Sequence, residues 1–493
     1  MKKKMKQWAK HGLALMGFIG TASAINLGAL DDTFSQDGTT DGWDLSGQPG
    51  YHWYGSDVAV DSQGRILIAG THQYDLNGNT ELVARVERRL PDGTLDHSFD
   101  FDGIMDLGIP PAPQAQLNYE IIMDSSDGVF VGYSRLYCQA TNDCESDLYV
   151  YHINVNGVIV GNQQIDFDLG ATNDRRDDDF ADMVYVPSIN KLAITAEVEL
   201  SNANDTDYGI AVLNADPVSG ALSIDTGFSV DGKRQCYFDQ NNVSGSRDMP
   251  TAIVWYGPTN SFIVGGSTFE GNGLNSDGWN MSFCEFNLAG DLVRSWSTIS
   301  QGIAIDSREF LNDLVVYQEP VLGGNSYLIG TGALPGAGEF DSVVFRYKMN
   351  QISQWELDSS FGTNGTGYQT TGFQYIFQGD TRDFGVNMLL EEDGQILVLS
   401  SISWDESGQP KSAFGLSKYT VDGHLNTNWG IAKTGKAVHT FDISVRWDIA
   451  EAVTIDPITE EIYVTGMSYD GLNFKSTVAN MHNDSIFASN FDF

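Results

Sequence analysis

The sequence predicts an all-β fold, a seven-bladed β-propeller closed by an N-terminal strand that completes the last blade. Three observations predict it. One four-strand unit recurs seven times, no long helical period follows residue 24, and the piece missing from the last unit stands near the N-terminus.

The most regular element is the second strand of each unit, an apolar run that usually ends in Gly or another small residue. It reads Ile66-Leu67-Ile68-Ala69-Gly70 in the first unit, Phe262-Ile263-Val264-Gly265-Gly266 in the fourth and Ile462-Tyr463-Val464-Thr465-Gly466 in the seventh. The runs end at 70, 133, 196, 266, 331, 400 and 466, so the unit repeats every 63 to 70 residues. Such a period marks an array of one supersecondary unit. A shorter apolar strand precedes each run, as Asp57-Val58-Ala59-Val60 does, and a third strand follows, such as Leu82 to Val86. Turn pairs such as Asp92-Gly93, Asn156-Gly157 and Asp422-Gly423 then reverse the chain, because these residues accept positive φ at small cost. A fourth strand closes the unit, as at Ile104 to Leu107. Short β runs at even spacing argue an all-β array.

Behind the turn lies a signature, Leu95-Asp96-His97-Ser98-Phe99, repeated as Leu357-Asp358-Ser359-Ser360-Phe361-Gly362. Looser copies run from Ile224 to Phe228, Leu292 to Trp296 and Leu425 to Gly430, and the second unit has lost it. Leu and the aromatic fall four apart and enter the core, while Asp and Ser bond backbone N–H groups of the turn between them. A residue that recurs around an array is structural, so Asp96 and Asp358 are read as turn formers, not catalysts. With the turn and the Gly-ending strand upstream, residues 30 to about 483 resemble the delta-60 repeat family, tandem repeats of exported bacterial proteins. The resemblance implies an array of β-units and brings no catalytic residues with it.

The seventh unit ends at Met481 without its signature, and the N-terminus supplies one, Leu30-Asp31-Asp32-Thr33-Phe34, followed by a short strand near Trp43-Asp44-Leu45. A solenoid needs no such permutation. A ring does, because the displaced strand seals the seam and removes the open edges.

Residues 1–24 read as a signal peptide: a basic start with Lys2, Lys3, Lys4, Lys6 and Lys10, a short apolar stretch, and Ala22-Ser23-Ala24. The expected organisation is therefore signal peptide 1–24, propeller 25–483 and a short aromatic tail 484–493. The expected destination is the periplasm, cell surface or medium, with no transmembrane segment and a monomeric chain. Removing the five signal lysines takes the formal charge from −39 to −44. Such a charge repels phosphate and excludes nucleic acid and anionic membrane surfaces as partners. It leaves a protein or carbohydrate ligand. Four cysteines in an exported chain predict two bridges, Cys138–Cys144 within one hairpin and Cys236–Cys284 between adjacent units.

No nucleophile elbow, zinc motif or phosphate loop is present, so no catalytic residue is assigned. Paired carboxylates for glycoside hydrolysis are uninformative among 66 acids. Two constellations go beyond scaffolding. In the loop Asp75, Asn77, Asn79 and Glu81, oxygen ligands alternate as Ca²⁺ prefers, against the simpler reading of solvated turns. Ca²⁺ is the one cofactor the sequence suggests. The second constellation precedes the first strand in five units: Arg176, Arg247, Arg308, Arg382 and Arg446, each followed by or close to an acid. The plain reading is an Arg–carboxylate tie within each blade. The sharper one is a cationic ring for an anionic or sugar-like ligand, with Trp53, Tyr54 and Trp447 as stacking platforms. The sequence thus favours an exported, non-enzymatic binding or scaffold module. The alternatives are a carboxylate-dependent polysaccharide hydrolase or lyase and a purely structural surface protein.

Overall fold

The computed structural model describes residues 27–483, apart from short segments at 36–40, 47–50, 77–78, 108–114, 139–143, 168–176, 201–204, 239–246, 270–277, 299–307, 321–323, 337–338, 374–380 and 442–446. The expected signal peptide and C-terminal tail lie outside the described residues. Among the described residues no helix is long and apolar enough to cross a membrane.

Seven antiparallel sheets form the blades of a β-propeller. Blade one comprises His52–Val60, Ile66–Leu76, Asn79–Arg89 and Ile104–Leu107; blade two comprises Ala115–Met123, Val129–Cys138, Cys144–Ile153 and Ile159–Ile165. Blade three comprises Asp178–Val186, Lys191–Glu199 and Thr206–Ala215, with an outer strand split into Leu222–Ile224 and Lys233–Cys236. Blade four comprises Asp248–Tyr256, Ser261–Phe269, Trp279–Asn287 and Leu292–Ser297. Blade five comprises Phe310–Gln318, Ser326–Leu334 and Asp341–Met349, with the split pair Trp355–Leu357 and Tyr368–Thr371 outside. Blade six comprises Thr381–Leu390, Ile396–Glu406, Gln409–Tyr419 and Lys436–His439. Blade seven takes Asp448–Ile455, Ile462–Tyr469 and Phe474–Met481 from the C-terminal end of the chain and Trp43–Ser46 from its N-terminal end. First strands contact first strands around the ring and so surround its axis.

The ring closes by the expected pairing. Trp43 to Ser46 pair with Ala479 to Ser476, Leu30 bridges Met481, and the Phe34 ring packs 5.8 Å from Tyr463. A buried ionic cluster then joins the closing strand to blade one. Arg89, 1% exposed, bonds Asp44 at 2.5 Å and Glu87 at 2.6 Å, while the Ser46 hydroxyl donates to Glu87 at 2.8 Å.

The signature works as a latch. Asp96 Oδ1 accepts from Ser98 N at 2.9 Å, and Asp358 Oδ1 accepts from Ser360 N at 3.0 Å. Arg88 and Arg346 of the third strands donate to the other carboxylate oxygens at 2.9 and 2.8 Å, and each guanidinium lies over the signature phenylalanine. Each also reaches a backbone carbonyl of the next blade, Val155 and Val421, at 2.5 Å. Phe34, Phe99, Phe228, Phe361 and Trp429 are all buried. The expected copy at Leu292–Trp296 is corrected: these residues form a continuous outer strand paired with the third strand of blade four. Val293 follows the Leu there, and it has no side-chain oxygen with which to cap a turn.

The glycine at the end of the second strand has a steric cause. Each first strand carries a bulge facing it, as between Gly55 and Asp57. A Cβ on Gly70 would stand 1.9 Å from Tyr54 O, and the same holds for Gly332 against Phe310 O. In the fifth unit the glycine at this position is Gly332, one residue beyond Thr331, whereas Ala196 and Ser400 take it in blades three and six.

Cys236 and Cys284 are bridged, with Cα atoms 6.5 Å apart. The bond links the outer strand of blade three to the third strand of blade four. In the chain-entropy picture, its separation of 48 residues contributes about 4 kcal/mol. Cys138 and Cys144 stand opposite each other in register, but their side chains lie outside the described residues.

The seam yields a prediction. Arg89→Met removes the only cation bonded to Asp44 and Glu87 among the described contacts and leaves two buried carboxylates uncompensated. The expected loss is about 3–5 kcal/mol, read from urea unfolding. A loss under 1 kcal/mol would remove the cluster from the account of ring closure.

Candidate active site at the channel mouth

Three of the five predicted arginines, Arg247, Arg308 and Arg382, are described; Arg176 and Arg446 fall outside the described residues. Each of the three stands at the start of a first strand and bridges in parallel to the preceding blade, at Thr206, Trp279 and Phe340. Arg247 Nε donates to Glu197 at 2.9 Å, Arg382 Nε bonds Glu339, and the Arg308 guanidinium lies 5.0 Å from the Phe340 ring centroid. The expected tie within each blade is thus corrected: the carboxylate partners of Arg247 and Arg382 belong to the blade before, and Arg308 rests on an aromatic ring of its own blade. Successive strand residues point to opposite faces, so the acid beside each Arg turns inward. Asp248, Glu309, Asp383 and Asp448 are fully buried. Asp248, Asp383 and Asp448 accept from the backbone N–H of Phe238, Phe373 and Phe441 at 2.8, 2.8 and 3.0 Å. Asp178 holds Phe167 N in the same way at 2.7 Å.

A second ring lies deeper, past the bulges. Asp57 accepts from Ile121 N at 2.7 Å, Asp182 from Ile253 N at 2.6 Å, Asp313 from Met388 N at 2.7 Å, and Asn387 from Val453 N at 2.9 Å. Each donor belongs to the next blade. Burial pushes Asp57 and Asp313 up to about 7, and burial with neighbouring carboxylates raises Glu120 and Asp182 well above the usual range.

Above this ring, a cavity of about 620 Å³ opens between the first halves of the first strands. Its walls include Asp179, Glu197, Asn312, Phe384, Ser401 and Glu451. Asp179 and Glu197 are directly opposed in register on adjacent strands of blade three, which sets their Cβ atoms about 5 Å apart. Burial holds the Asp179 carboxyl above the usual range; Asp177 and Glu197 add to this, while the Ser146 hydroxyl and Arg247 oppose it. Glu197 is engaged by Arg247. Burial also pushes Glu451 up to about 8. The cavity therefore brings together two carboxyls raised by burial and a carboxylate paired with arginine, the kind of contrast that acid–base chemistry uses. Sequence reasoning missed Asp179, Glu197 and Glu451, because only strand register distinguishes them from the other acids.

Of the predicted stacking platforms, Tyr54 and Trp447 come together. Tyr54 stacks on His52 at 5.8 Å and touches Phe474, and Trp447, 41% exposed, packs against Phe474 and Tyr469. Trp53 points the other way and is 1% exposed, with Arg85 above its ring. An unforeseen aromatic chain, Trp279, Phe310, Phe340 and Phe384, crosses blades four to six. The proposed Ca²⁺ loop is the tip of a hairpin, with Asp75 opposite Thr80. Asn77 and the side chains of Asp75, Asn79 and Glu81 lie outside the described residues.

No family model matches the chain, and no curated protein matches it. Among solved structures it is similar to the polysaccharide lyase Uly1 (TM-score 0.40, 11% identity, covering 77% of this chain and 92% of that one). It is also similar to an ulvan lyase described as a new family of polysaccharide lyase (0.43, 10%, 89% and 96%). A third is the α-L-arabinanase of Penicillium chrysogenum complexed with arabinobiose (0.40, 10%, 74% and 92%).

The deep ring makes stability depend on pH. Asp57 and Asp313 titrate near 7 when folded and near 4 when unfolded. A raised folded value means stability that is fully present below about pH 4 and is lost as pH rises through about 7. The melting temperature is expected to fall between pH 5 and pH 8.5. Asp313→Asn should flatten that fall, since Asn387 already fills the equivalent position in blade six. A melting temperature that rises across this range would contradict the assignment.

Proposed function

We propose that the channel mouth binds a neutral glycan and that the protein is a carboxylate-dependent polysaccharide hydrolase. One observation carries this reading: Asp179 and Glu197 are opposed on adjacent strands within one cavity, the first with a raised carboxyl and the second paired with Arg247. Asp179 is placed to protonate a leaving glycosidic oxygen. Glu197, held by Arg247, is placed to activate water or stabilise positive charge on the sugar. The aromatic patch of Tyr54, Phe474 and Trp447 offers ring faces to a sugar chain.

Charge supports a hydrolase over a lyase acting on acidic glycans. The chain carries 66 acids against 27 basic residues, so a polyanion is repelled at long range. Arg247 and Arg382, which a uronate would need, are already engaged by Glu197 and Glu339. The second reading, a non-enzymatic glycan-binding module, draws on the same aromatic patch and on the absence of any catalytic motif in the sequence.

The test is turnover on a panel of neutral polysaccharides, read as reducing ends released. Asp179→Asn and Glu197→Gln should each lower kcat by roughly 10²–10⁴-fold with KM little changed. Trp447→Ala should raise KM instead. Retention on immobilised glycan without turnover would favour the binding module. Full turnover in both acid variants would refute the assigned pair.

A further inference from the structure

We infer that Asp31, Glu461 and His482, with the side-chain oxygen of Asn480, form a divalent-metal site of zinc type at the ring seam. One potential ligand atom from each of the first three lies within 4.8 Å of the others. The donors come from separate parts of the chain. Asp31 precedes the closing strand, Glu461 stands just before the second strand of blade seven, and Asn480 and His482 lie at and beyond the end of its third strand. Backbone bonds fix the arrangement: Gly28 N donates to His482 O at 2.7 Å, His482 N to Ala29 O at 3.0 Å, and Asp31 N to Asn480 O at 2.9 Å.

A separate observation points to a ligand. Asn480 is 1% exposed and its Nδ2 donates to Glu461 Oε2 at 2.7 Å, so the amide sits against the cluster. Its Oδ1 is buried without a hydrogen-bond partner. A buried acceptor left unpaired is costly, and a cation is a partner that would satisfy it. The His482 imidazole turns Nδ1 toward Glu461, at 3.6 Å from Oε1. Asp31 Oδ1 accepts from Thr33 N at 3.0 Å, which orients the carboxylate. One imidazole nitrogen with two carboxylates and an amide oxygen suits Zn²⁺ better than Ca²⁺, which takes oxygen ligands alone. Because the donors span the seam, an ion there binds only the closed ring and stabilises it by mass action.

Chelator-stripped full chain would be titrated with ZnCl₂, CoCl₂ and CaCl₂. The expected result is one equivalent of Co²⁺ with visible d–d absorption, displaced by Zn²⁺. The melting temperature should rise by about 3 °C at a hundredfold excess of Zn²⁺ over Kd. Asp31→Asn and His482→Gln should abolish both signals, and His97→Gln should leave them intact. Asn480→Asp adds a carboxylate at the proposed ligand position and should tighten binding at least tenfold, which keeps the idea testable if the other variants fold poorly. Any of three outcomes would overturn it: no saturable Co²⁺ or Zn²⁺ binding, binding unchanged in folded Asp31→Asn and His482→Gln, or an equal response to Ca²⁺.

Discussion

The ring depends on carboxylates that have exchanged water for the backbone N–H groups of a neighbouring blade. Asp178, Asp248, Asp383 and Asp448 hold the end of the preceding blade, while Asp57, Asp182 and Asp313 hold the first strand of the next. Adjacent sheets of a propeller share no ladder, so such side-chain bonds set how one blade meets another. Burying a carboxyl group is costly unless its hydrogen bonds are made. The N–H groups that satisfy it stand beyond an outer strand or on the inner edge of a first strand, where no sheet neighbour would otherwise pair them, so the two needs cancel. The same bonds explain why a chain with so large an excess of acids places several of them in its interior.

The fasteners repeat, but the ring has one place where covalent order fails. Blade seven is made from both ends of the chain, and its outer strand has only Trp43–Ser46 to offer. The buried Asp44–Arg89–Glu87 cluster and the docking of Leu30 and Phe34 concentrate specific contacts at that seam. Elsewhere the signature latch performs the comparable task. Arg88 and Arg346 join the signature turn, its aromatic ring and the next blade with one guanidinium each.

Architecture and chemistry divide the first strand by side-chain direction. At its start Arg247 and Arg382 face outward to the preceding blade's carboxylate, and the acid after each faces the interior. The residues beyond, up to the bulge, line the cavity. Repetition therefore consumes most of the charged positions, and the candidate chemistry sits where blades differ. Asp179 faces Glu197 in blade three alone among the described cavity walls, and the aromatic patch belongs to blades one and seven.

The sequence by itself determined the blade. Strand alternation, turn pairs and the 63-to-70-residue period are local or periodic, so the seven units, the displaced N-terminal strand, the Cys236–Cys284 bridge and the turn role of Asp96 and Asp358 were legible without coordinates. The glycine ending the second strand was legible as a pattern, though its cause, the opposing bulge, was not. The looser copy at Leu292–Trp296 misled, because hydrophobic spacing alone does not distinguish a capped turn from a strand. Only the tertiary structure decided which acids meet. Arg247 pairs with Glu197, fifty positions away, and not with Asp248 beside it, because neighbours on a strand point apart while residues of adjacent blades converge. The same alternation buried Trp53 and left Tyr54 at the mouth. Asp31, Glu461 and His482 became one cluster only when the ring closed, since sequence position says nothing of proximity between the two ends of a chain until a seam brings them together.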